Sequence, residues 1–115
     1  VYLLEKASRI IGVYVLVPTR PETLELMNIA VDEDYQGQGF GKQMVEHATA
    51  AAKEQGYKIM DVGTASLGVE QLMFYQKCGF RMTSIDHGFF VKHYDESIII
   101  NGILLRDMVR LSMEL

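Results

Sequence analysis

The sequence is poor in cysteine. Cys78 is the single one in 115 residues, which excludes an internal disulfide framework and fits a reduced, cytoplasmic setting. An excess of positive charge is also lacking. Eleven Lys and Arg stand against fifteen Asp and Glu, for a formal net charge of -4 and a pI near 5.3. That argues against sequence-independent nucleic-acid binding, which needs a basic face. No apolar run approaches the roughly 18 residues of a membrane span, and Ile98-Ile99-Ile100 is broken by Asn101-Gly102. No secretory signal, internal repeat or low-complexity tract is visible. Nucleic acid and membrane are therefore not expected partners.

What is present suits a packed domain. Hydrophobic residues make up 49% and charged residues 23%, enough apolar material for a core and too little charge for disorder. One domain over residues 1–115 is the expectation. The chain opens directly on Val1 in a strand-like run, as a processed chain or part of a larger protein would.

Val1–Leu4 reads as a short strand. Ile10–Val17 is apolar and β-branched, and Pro18 should end it before a turn at Thr19–Glu22. Thr23–Val31 is a third strand. Its alternation places Glu25, Met27, Ile29 and Val31 on one face and Leu26, Asn28 and Ala30 on the other. Short turns make these three an antiparallel meander. Phe40–Gln55 has helical spacing, with Phe40, Met44, Ala48 and Ala51 recurring on one side and Gly56 as a stop. Ile59–Val62 is a strand. Val69–Lys77 is a helix with Leu72, Met73 and Gln76 along one side, ended near Gly79. Phe80–Ile85 is a strand, 86–101 an irregular connection, and Leu104–Met113 a closing strand. The order β-β-β-α-β-α-β-β predicts an α/β chain with a mixed sheet and helices packed on it.

Between the third strand and first helix lies Asp34-Tyr35-Gln36-Gly37-Gln38-Gly39-Phe40-Gly41-Lys42. A GxxxxGK phosphate loop would need glycine at Gln36, and the spacing of Gly37, Gly39 and Gly41 fails the GxGxxG fingerprint. A plain flexible turn is one reading. The other is a cradle. The first turn of a helix offers unpaired N–H groups and partial positive charge, glycines let a pyrophosphate approach them, and Lys42 adds a cation.

Here the sequence resembles a family. Gln36-Gly37-Gln38-Gly39-Phe40-Gly41 matches the Q/R-x-x-G-x-G/A signature of the GNAT superfamily of N-acetyltransferases. Asn28-Ile29-Ala30-Val31 is similar to that family's central strand, and Phe74-Tyr75-Gln76-Lys77-Cys78-Gly79-Phe80, followed by Arg81, to its FYxKxGF stretch. The resemblance covers about Val1 to Leu115. Two features depart from it. The strand and helices that usually precede the family's meander, and commonly wall the acceptor site, have no counterpart here. Ser66 or Ala65 replaces an Asn often found before the second helix.

The resemblance implies transfer of acetyl from acetyl-CoA, as co-substrate, to a primary amine of a small molecule or peptide, by direct attack in a ternary complex. It assigns the pyrophosphate to the amides of Gln38, Gly39, Phe40, Gly41 and Lys42, with Gln36 shaping the turn and Gly37 also among the cofactor-binding residues. It assigns the pantetheine arm to the main chain of Ile29 and Val31, with Ala30, Ser66 and Tyr75 as further cofactor-binding residues. An oxyanion needs a preorganised donor, and the Ile29 N–H is the family's usual one. An alkyl amine arrives protonated. Glu25 is the matching candidate base, against a solvated strand Glu. Tyr75 matches the general acid for the departing thiolate, against an ordinary packing Tyr. The alternative function is an acetyl-CoA-binding module or partner subunit without a complete acceptor site. A homodimer is a possible assembly.

Other chemistry-bearing residues have simpler readings. Cys78 has no partner at triad spacing. Asp86, His87 and His93 match no metal-ligand pattern. His47 is expected at the surface and the seven Met as core filler. Lys77 could touch phosphates or simply favour a helix C-terminus.

Overall fold

The computed structural model describes residues 1–115. The chain forms two compact units, residues 1–61 with 114–115, and residues 62–113.

In the first unit, β1 (Tyr2–Lys6), β2 (Arg9–Arg20) and β3 (Thr23–Val31) make the expected meander, and β4 (Ile59–Ala65) enters parallel to β3. Ala7 and Ser8 join β1 to β2 with φ of 51° and 66°, the left-handed pair that tight hairpins require. The helix α1 (Phe40–Glu54) packs on β2 and β3. It buries Met44, Val45, Ala48 and Ala52, one face of a 3.6-residue period. Gly12 of β2 lets it sit close, since a Cβ there would come within 2.8 Å of Met44 Sδ. Gly56, with φ of 88°, ends the helix by donating its N–H to the Lys53 carbonyl at 3.0 Å. Ile11, Leu24, Leu26 and Met60 complete this core.

The second unit holds the end of β4, then α2 (Val69–Lys77), β5 (Arg81–Asp86), α3 (Phe89–His93), β6 (Ile99–Ile100), β7 (Ile103–Leu104) and β8 (Met108–Glu114). Its strand order is β4-β8-β5, with β5 and β8 antiparallel. Val62, Phe80, Leu105 and Leu111 are its most buried aliphatic and aromatic side chains.

The eight expected elements occur in the expected order, with several local corrections. Pro18 does not end β2, which runs on to Arg20. The reason is that β1 pairs only with Arg9–Tyr14, so the outer edge of β2 is open there and a missing N–H costs no ladder bond. Residues 86–101 are not irregular throughout. Gly88 starts α3, and Ile99–Leu104 forms a hairpin around Asn101-Gly102, both left-handed at 50° and 79°. Asn-Gly between isoleucines is the type I′ signal that could have disclosed it. The closing strand therefore begins at Met108 rather than Leu104.

Two faces also differ. In α2 the buried residue is Tyr75, while Met73 and Gln76 are exposed. In β3 the simple alternation fails. Asn28 has φ of 53°, and the register moves from Val15↔Met27 to Val13↔Ala30, so one extra residue is bulged out. Glu25 and Met27 therefore share a face with Ala30, not with Ile29 and Val31.

Candidate active site

The site residues of the first unit lie on one continuous path, β3, loop and α1. β3 pairs with β4 at Thr23, Leu24 and Glu25, opposite Ile59, Met60 and Asp61. It then continues six residues, about 20 Å, past that ladder to Val31. Ile29, Ala30 and Val31 stand on this extension. The bulge at Asn28 turns the strand there, as bulges beside functional sites do.

Asp32 then caps a short 3-10 turn at Glu33–Tyr35, its Oδ1 accepting the Asp34 N–H at 3.0 Å. Gln36 Nε2 donates back to the Val31 carbonyl at 3.1 Å, closing the turn. Gly37 and Gly39 have φ of 76° and 86°, a conformation glycine adopts without steric cost. Gly39 is the N-cap of α1 and brings no capping side chain. The first backbone donor of the helix to find a protein acceptor is Gln43, bonded to the Gly39 carbonyl at 3.1 Å. The N–H groups from Gly37 to Lys42 make no such bond. They are a run of donors at the positive end of a 15-residue helix. A Cβ built on Gly37 or Gly39 meets nothing within 4 Å, so the loop is open to an approaching group. The donor set fits a pyrophosphate.

Residues that sequence reasoning did not single out brace this loop. Arg9 Nη2 lies 3.0 Å from Asp32 Oδ2 and 3.9 Å from Asp34 Oδ2. Lys6 sits 5.9 Å above the Tyr35 ring and 5.3 Å above Phe40, whose rings meet edge to face. An Asp beginning an Asx turn is the signal that could have found Asp32.

Glu25 is half-buried on the last rung shared by β3 and β4, beside Asp61. Asp61 receives Arg20 through Nε at 3.2 Å and Nη2 at 2.8 Å. Elsewhere in this unit His47 is exposed, as expected, yet its Nδ1 is hydrogen-bonded to the buried Tyr14 hydroxyl, and Tyr2 stacks on Tyr14 at 4.8 Å. Burial, and then the neighbouring Tyr2, push the Tyr14 phenol up to about 12.

Ser66 and Tyr75 belong to the second unit. Ser66 is half-buried after β4, and its N–H donates to the Asp107 carbonyl at 3.0 Å. Tyr75 is 6% exposed on α2, with Phe74 and Phe80 rings at 5.4 and 5.7 Å. Its phenol is held above the ordinary value, by burial first and then by Cys78. A phenol so placed keeps its proton at neutral pH, as a general acid must. Cys78 is half-buried at the helix C-cap. His87 Nδ1 lies 3.7 Å from Asp107 Oδ1. Only Met44 and Met60 are core methionines, whereas Met27, Met73 and Met82 are exposed, which corrects the core-filler reading in part.

Residues 1–82 match the family model described as the acetyltransferase (GNAT) domain. The chain is 55% identical, over 104 residues, to the uncharacterized N-acetyltransferase YvbK of Bacillus subtilis, covering 90% of this chain and 67% of that one. The chain belongs to the GNAT acetyltransferases. Two solved GNAT-type structures resemble it closely. A Bacillus subtilis acetyltransferase in complex with CoA is 51% identical with a TM-score of 0.91, over 96% of this chain and 73% of that chain. A GNAT family acetyltransferase from Elizabethkingia anophelis with acetyl-CoA bound is 45% identical with a TM-score of 0.93, over 98% and 74%. This GNAT chain thus spans between two thirds and three quarters of the length of these relatives.

Proposed function

We propose that the chain acts as one acetyltransferase domain and transfers the acetyl group of acetyl-CoA to a primary amine of a small molecule or peptide, by direct attack in a ternary complex. The observation that carries this reading is the run of unbonded N–H groups from Gly37 to Lys42 at the head of α1. The CoA and acetyl-CoA complexes of its relatives support it. Acetyl-CoA supplies an activated acetyl thioester. The amides of Gly37–Lys42 hold its pyrophosphate, with Gln36 fixing the turn, and the main chain of Ile29, Ala30 and Val31 lines its pantetheine arm. Ser66 and Tyr75 are the further cofactor contacts that the family pattern assigns.

Three groups manage charge and protons. Glu25 takes a proton from the arriving ammonium, directly or through water, so that the amine nitrogen can attack the thioester carbon. The Ile29 N–H donates to the oxygen that becomes negative as the C–N bond forms. As the C–S bond breaks, Tyr75 gives its proton to the departing sulfur. The bulge supports the second role, because it reorients the backbone of β3 at Asn28–Ile29. Calorimetric titration with acetyl-CoA and with CoA tests the cradle. Micromolar binding is expected, and a folded sample that binds neither overturns the reading. Turnover of an amine panel then separates an enzyme from a binding module.

A further inference from the structure

Asp32, Glu33 and Asp34 are consecutive acids just before the glycine loop. They are unexpected neighbours for a pyrophosphate, which is itself an anion. Asp34 is three residues from Gly37, so their Cα atoms lie within about 11 Å. Salt screens exposed charges over about 8–10 Å near physiological strength, a similar length. Carboxylates this near weaken the cradle's attraction for a phosphate unless a cation offsets them.

The turn between β1 and β2 supplies cations. Lys6 and Arg9 face each other across it. Arg9 Nη2 lies 3.0 Å from Asp32 Oδ2 and 3.9 Å from Asp34 Oδ2, and the guanidinium carbon lies 5.8 Å from the Tyr35 ring centre. Asp32 thus uses both oxygens, Oδ2 for Arg9 and Oδ1 for the Asp34 N–H. Lys6 lies over the rings of Tyr35 and Phe40, and Phe40 opens α1. One hairpin therefore brings two cations against the acidic turn and the head of the helix, all within the first unit. The side chains of Arg9 and Asp34 are 57% and 78% exposed. Ion pairs this open to water contribute little to stability, so bracing alone is a weak account of them.

We propose that Arg9 is a positioning residue that masks the Asp32 and Asp34 carboxylates, so that the loop accepts the pyrophosphate of CoA. This rests on the reading of Gly37–Lys42 as the cradle. Arg9 acts through the two acids, and the amides remain the groups that touch the phosphates.

The test compares wild type, Arg9→Gln, Asp32→Asn with Asp34→Asn, and the triple variant. Asn at 32 keeps an oxygen for the Asp34 N–H. Affinity is measured by calorimetry for CoA and for pantetheine, which lacks the pyrophosphate, and circular dichroism checks the fold. Arg9→Gln should weaken CoA binding about 5-fold or more, the scale of one poorly screened charge, and leave pantetheine unaffected. The triple variant should regain most of the lost affinity, because no carboxylate remains to mask. A triple variant as weak as Arg9→Gln would mean that Arg9 only braces the turn or touches the ligand itself, and overturns the proposal. So would a pantetheine affinity that falls in step with that for CoA. The pair of Asn substitutions with Arg9 kept gives an arm that does not depend on losing Arg9. It should bind CoA more tightly than wild type, and no gain overturns the proposal. Wild type separates the two levels. If it binds CoA no more tightly than pantetheine, the cradle reading itself fails. If it prefers CoA and Arg9→Gln keeps that preference in full, only the masking role fails.

Discussion

Tyr75 is a residue whose surroundings suit a proton donor. It is enclosed by Phe74 and Phe80, and burial raises its phenol. Tyr75→Phe keeps the ring packing and removes the proton. Turnover should fall by about 10²-fold or more, the usual scale of acid–base contributions, with acetyl-CoA affinity close to wild type by calorimetry. An unchanged rate would take Tyr75 out of the mechanism. Tyr75 was legible because it sits inside a contiguous motif that ends a helix. Asp61 and Arg20 were not, because they are 41 residues apart. No pattern in the chain announces a contact made across an intervening strand.

The element that matters most is the loop into α1. Its glycines look at first like a device for making room, but the geometry assigns them another task. A Cβ at Gly39 would meet no protein atom within 4 Å, while its φ of 86° is left-handed. A β-branched residue there strains the backbone by about 1–3 kcal/mol and projects a side chain beside the donor run. Gly39→Val should therefore weaken CoA binding at least about 10-fold, equal to some 1.4 kcal/mol, while circular dichroism shows the helix content intact. Retained affinity would mean that the loop is merely a turn. Element types were legible from periodicity in β2, β3 and α1. The bulge at Asn28 was not, since an extra residue in a strand leaves the hydrophobic composition unchanged and shows only against its partner, β2. That one residue reversed the faces beyond it and removed Glu25 from the face of Val31.

At the scale of the whole molecule, stability should depend on alkaline pH. Tyr14 has a folded-state value of about 12 against an ordinary 10.0, and Tyr75 is shifted in the same direction. Both raised values favour the protonated phenol in the folded state. The stability they contribute is fully present below pH 10 and is lost as pH rises through 10 toward 12. Denaturant midpoints measured across that window should fall, and less steeply in Tyr14→Phe. A variant with the wild-type slope would show that Tyr14 is not linked to folding. No helix is long and apolar enough to cross a membrane. The sequence by itself determined the order of the main elements, the glycine loop and the motif that contains Tyr75, because each depends on neighbours within a few residues. Tertiary structure alone decided which face Glu25 presents, how far β3 continues past its rungs with β4, and that Arg20 bonds Asp61. Those depend on pairing register between strands distant in the chain, and register is settled by packing and by a single bulged residue rather than by local propensity.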